Sequence, residues 1–85
     1  MRRLSITFEL GESRRYDSFF RRLHCLGAFD AMNSQWFLLT SLAVDEIEKD
    51  LRAHLDPADR LCVAHVGTMS SQNLINGDKF ATRAS

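Results

Sequence analysis

The run from Leu4 to Leu10 alternates apolar Leu4, Ile6, Phe8 and Leu10 with polar Ser5, Thr7 and Glu9, the period of a strand that buries one face. Glu9 therefore points away from the core, at the strand's end. Beyond the loop Gly11-Glu12-Ser13 the apolar residues switch to helical spacing. Tyr16, Phe19, Phe20, Leu23 and Leu26 share one side, with Ser13 placed to cap the start and Gly27 to close the end. Arg14, Arg15, Arg21 and Arg22 fall on the opposite side and form a basic outer face.

A short apolar piece, Ala28 to Met32, an Asn33-Ser34 turn and the run Gln35 to Thr40 together predict a hairpin. The second run is apolar on both faces, as expected of a central strand or of one whose outer face meets another subunit. Val44, Ile47, Leu51 and Leu55 line one side of a second helix, with Asp45 and Glu46 in its first turn and Asp56-Pro57 at its end. The last predicted strand is Leu61 to Val66. The order strand, helix, strand, strand, helix, strand is the split βαβ arrangement, two helices on one face of a four-stranded antiparallel sheet.

That domain spans residues 1–66. Residues 67–85 turn to Gly, Ser, Asn and Thr, and only Leu74, Ile75 and Phe80 offer anchors, so this polar tail is expected to stay partly disordered or to dock on a partner subunit, as a short strand in the latter case.

At 85 residues and 45% hydrophobic content the chain builds one core and not two. Eleven basic and eleven acidic side chains cancel, which excludes attraction of the whole molecule to nucleic acid or an anionic membrane. The charge is nonetheless uneven. Six arginines against three acids give +3 ahead of Gly27 and leave −3 for the remainder. Cys25 and Cys62 stand in no metal-ligand or redox spacing and read as small buried or half-buried groups, the expected compartment being a reducing cytoplasm. No stretch is long enough to span a bilayer.

Phe8-Glu9-Leu10, Arg14-Arg15 opening the helix, Leu23 with Gly27 closing it, Ser34-Gln35-Trp36 beginning the third strand and Asp59-Arg60-Leu61 entering the fourth together resemble CRISPR-associated protein two and its stand-alone relatives. The resemblance spans about Leu4 to Ile75. It implies an α+β, ferredoxin-like fold, a homodimer joined across sheets and terminal strands, and in some members a metal-dependent nuclease of antiviral defence. In those nucleases an aspartate follows an aromatic residue at the end of the first strand, and two subunits share the metal. Here the position is Glu9, the candidate catalytic residue and magnesium ligand, whose extra methylene moves the carboxylate by more than a bond length at an ion that demands near-ideal octahedral geometry. Ser34 would border the acidic site.

Arg14, Arg15, Arg21 and Arg22 are the candidate nucleic-acid contacts, acting on the phosphate backbone, with Asp17 balancing part of their charge. Trp36, Leu38, Leu74 and Ile75 are the candidate dimer interface. His65 should lie near Leu4 or Ser5, about 13 Å from Glu9 at about 3.3 Å per residue, too far to serve it as a base. His24 and His54 fit packing or surface roles. The competing reading is a noncatalytic protein-interaction or scaffolding module of a defence, mobile-element or toxin-antitoxin system. A small-ligand regulatory domain ranks last, since no glycine-rich effector loop is present.

Overall fold

The computed structural model describes residues 1–11, 16–70, 72, 74 and 75. Its elements are β1 (Arg2–Glu9), α1 (Asp17–Leu26), β2 (Phe29–Met32), β3 (Gln35–Thr40), α2 (Val44–Arg52) and β4 (Arg60–His65). The strands form one antiparallel sheet in the order β2-β3-β1-β4, with both helices on one face: the split βαββαβ, ferredoxin-like α+β arrangement. The central strand β1 alternates as its sequence requires. Leu4 and Ile6 are wholly buried and Phe8 nearly so, under Phe19 and Leu23 of α1 and Ile47 and Leu51 of α2.

Aromatic rings join the two layers. Phe8, Phe19 and Phe20 meet edge to face with centroids 5.1 to 5.8 Å apart, and Phe20 continues to Trp36 at 6.0 Å. Edge-to-face geometry sets the positive rim of one ring against the negative face of the next, which adds direction to an otherwise undirected burial. Gly27 closes α1 at φ 87°, where a side chain would be strained, and the bonds Gly27 N–H to His24 C=O and Ala28 N–H to Leu23 C=O satisfy the last turn. The described helix begins at Asp17; the expected cap Ser13 lies outside the described residues. At the start of α2 the Glu46 carboxylate accepts from the Ala43 N–H. This helix ends at Arg52, earlier than its apolar stripe predicts, because the His54 and Leu55 amides turn back to the carbonyls three residues before them. Leu55 still packs on the core.

The sheet's outer face departs most from expectation. Trp36 and Leu38 were placed at a dimer interface, yet both lie under the helices, Leu38 with no exposed surface, so neither offers area to a partner. The outward residues of β3 are Gln35, Phe37 and Leu39. Phe37 is buried too, in a second cluster with Phe29 and Ala31 that is covered by Val66, Met69 and Leu74. The described part of the tail thus lies on its own sheet. It leaves β4 with the Val66 N–H donating to Arg3 C=O, crosses the face and ends at β2, where the Ile75 N–H donates to Ala31 C=O at 2.9 Å. Leu74 is committed to this cluster, whereas Ile75 stays 45% exposed beside β2. Phe80 lies outside the described residues. The two clusters should separate on mutation: in denaturant titrations Phe19→Ala should cost about 3–5 kcal/mol, and Leu74→Ala, half-buried, about 1 kcal/mol.

Candidate functional site

Glu9 ends β1 opposite Arg60, the first residue of β4, and directly opposed residues share a face. Their side chains meet on the open side of the sheet, Arg60 Nη1 lying 3.4 Å from Glu9 Oε1. With about three quarters of each side chain in water, the pair is solvent-screened and weak. Thr7, Glu9, Arg60 and Cys62 line a shallow cleft of about 150 Å³. Ser34 does lie beside this strand end, through its backbone: the Phe8 N–H donates to Ser34 C=O at 3.1 Å. His65 pairs with Leu4, at the other end of β1 from Glu9.

Behind Glu9 sits a tighter group. Tyr16 Oη donates to Asp59 Oδ1 at 2.7 Å, the Gly11 N–H reaches both Tyr16 Oη and Asp59 Oδ1, and the Asp56 N–H donates to Asp59 Oδ2. This knot ties the loop after β1 to the loop before β4. Burial first, and then the bond to the Asp59 carboxylate with its negative charge, hold the Tyr16 phenol above its ordinary value. Asp59 thereby has its oxygens engaged in joining loops.

Magnesium requires several oxygen ligands in octahedral array. Among the described residues no three His, Cys, Asp or Glu side chains gather as a metal-ligand set, and Glu9 has an arginine for its nearest charged neighbour. Among the described residues, one copy of the chain gathers no oxygen-ligand set around Glu9. The basic helix face is also changed from the expectation. Arg22 forms a two-pronged bridge to Asp50 of α2, Nε to Oδ1 at 2.8 Å and Nη2 to Oδ2 at 2.7 Å, which holds the helices together and removes it from the set of phosphate contacts. The bond from Arg22 keeps the Asp50 carboxyl below its usual range, and the same contact raises the guanidinium. Arg21 is exposed; Arg14 and Arg15 lie outside the described residues. Cys25 and Cys62, expected half-buried, are both free and exposed, and His24 stacks edge-on against Trp36 at 5.2 Å.

Asp59 and Arg60 entered the sequence reading only as part of the motif at the start of the fourth strand, with no site role, and the Tyr16 hydroxyl was not singled out. For Arg60 the signal existed: the antiparallel pairing that sets His65 beside Leu4 also sets residue 60 beside residue 9. For the Tyr16 hydroxyl there was none, since its spacing marks it only as a member of an apolar stripe.

In comparison with known proteins, no family model, curated protein or solved structure matches the chain. Among the described residues no helix is long and apolar enough to cross a membrane.

Tyr16 is the sole tyrosine, so an ultraviolet titration reads it alone. Its midpoint should lie above the ordinary value of about 10 and fall in Asp59→Asn. Because the folded value is raised, the knot's stabilisation is fully present below about pH 10 and is lost as pH rises through the folded value; Tyr16→Phe should remove that alkaline loss. On the helix face, Arg22→Ala should lower the melting temperature by a few degrees, whereas Arg21→Ala should leave it unchanged.

Proposed function

We propose that this chain is a noncatalytic interaction module that works as a homodimer, joined along the free edge of β4. The observation that carries the reading is the direction of that strand's backbone groups. The Val66 N–H bonds to Arg3 C=O, and Arg3 and Val66 continue the β1–β4 register, so residues 60, 62 and 64 face β1 in hydrogen-bonded pairs. Leu61, Val63 and His65 then aim their N–H and C=O groups outward, where no strand lies beside them among the described residues. Such an edge is a template for another strand. A two-fold axis setting Val63 against Val63 of a second copy would match all of these groups at once, Leu61 with His65 and His65 with Leu61, while keeping helix side on helix side.

This arrangement bears on the nuclease alternative. Two Glu9 carboxylates would then stand three strand spacings and six residues apart, on the order of 25 Å, beyond any shared ion. A nuclease of the kind the resemblance implies needs instead a dimer made through the open face of the sheet, with both Glu9 side chains in one cleft. Nucleic-acid contact through Arg21, if it forms part of the function, is compatible with either dimer. Two thiols free and exposed accord with a reducing cytoplasm, which belongs to the same proposal.

Light scattering during size-exclusion chromatography separates the two dimers. The wild type should run at twice the 9.7 kDa of the chain. His65→Pro, which deletes an outward donor at an exposed position, should run as a monomer of unchanged helix content, and Thr7→Lys on the open face should remain dimeric. A wild-type monomer at every concentration would refute the proposal. The reverse pattern, with Thr7→Lys alone breaking the dimer, would refute the edge and return Glu9 to consideration as a metal ligand, with magnesium-dependent cleavage lost in Glu9→Gln as its confirmation.

A further inference from the structure

The tail does not lie flat on the sheet. It is held where it leaves β4, by the Val66 N–H on Arg3 C=O and by Arg3 Nη2 on Gly67 C=O at 2.8 Å, and again at β2 by Ile75. Between these ends a cavity of about 350 Å³ remains under it. That volume falls within the range of small-molecule sites, roughly 300–1,000 Å³.

The lining states the chemistry. Phe37, Met69 and Leu74 supply apolar walls, and the two methionines that border the space, Met32 and Met69, have the adaptable, polarisable side chains that conform to flat rings. Ser5, Gln35 and Gln72 add a hydroxyl and two amides, groups that both donate and accept. Among the described residues no ionisable side chain lines the cavity, in a chain of which 26% is charged. A charged ligand entering it would lose hydration with no counter-charge to replace it, whereas a neutral one loses little.

We infer that this cavity is a binding site for an uncharged aromatic small molecule of two to three rings with a hydrogen-bonding edge. The ring would occupy the apolar space beside Phe37, and its edge would face the serine and glutamine side chains. The site lies over β2, β3 and Ser5 of β1, with Val66 reaching it from just past β4; Glu9 and the outward backbone groups of β4 take no part in it, so it stands independently of the dimer proposal.

Two fluorophores with one carbon skeleton test it on the full chain. N-phenyl-1-naphthylamine is neutral and carries an N–H donor; 8-anilinonaphthalene-1-sulfonate adds a sulfonate to the same rings. The neutral probe should bind saturably, one per chain, at least tenfold more tightly than the anionic one. Ser5→Leu, which fills the floor from the central strand, and Gln72→Trp, which fills the mouth from an exposed position, should each weaken the neutral probe at least tenfold, with the melting temperature of the unliganded protein unchanged or raised. Absence of saturable binding would overturn the inference. So would equal affinity for the two probes, or wild-type affinity in either variant.

Discussion

The ring contacts among Phe8, Phe19, Phe20 and Trp36, edge to face among the three phenylalanines and tilted at Trp36, are the constraint on which the remaining architecture rests. They join the central strand, the first helix and the third strand in one packed unit, and rings admit far fewer relative orientations than aliphatic side chains do. With α1 so placed, Gly27 has to turn the chain back at a positive φ toward β2, and Arg22 comes within reach of Asp50. The loops at the far end of β1 are then close enough for Tyr16 and Asp59 to tie them. Glu9 and Arg60 sit where they do because the strand ends carrying them are held by that knot.

Much of this was legible in the chain. β1 announced itself by strict alternation, and β3 matches its expected bounds from Gln35 to Thr40 because Asn33-Ser34 and the polar residues after Thr40 limit it on both sides. The α1 stripe was equally clear. The inner and outer faces of β3 were not, since a run apolar at every position carries no period, and only the packed structure tells that Trp36 and Leu38 face inward while Phe37 and Leu39 face out. The end of α2 was obscured for a related reason. Leu55 continues the apolar stripe past the last helical bond, and a turn of three-residue bonds delivers it to the same core.

Composition alone did not show where the described part of the tail lies. Counted by residue type, the segment after Gly67 is polar, and its anchors seemed too few to order it. What counts is placement: Val66, expected to end the last strand, Met69, overlooked as an anchor, and Leu74 fall on a patch of three buried residues that already needed cover. Burial of an exposed apolar patch orders a polar segment when a few of its residues match the patch. Among the described residues, the outer face of the sheet is covered over β2 and β3 by the chain itself and not over the Glu9 end of β1 and β4.

The two cysteines have a practical consequence. Cys25 is displayed on α1 and Cys62 on β4, so the fold already carries a pair of chemically addressable handles in different layers. A donor dye on one thiol and an acceptor on the other would follow the separation of helix from strand in real time, with no engineered attachment point.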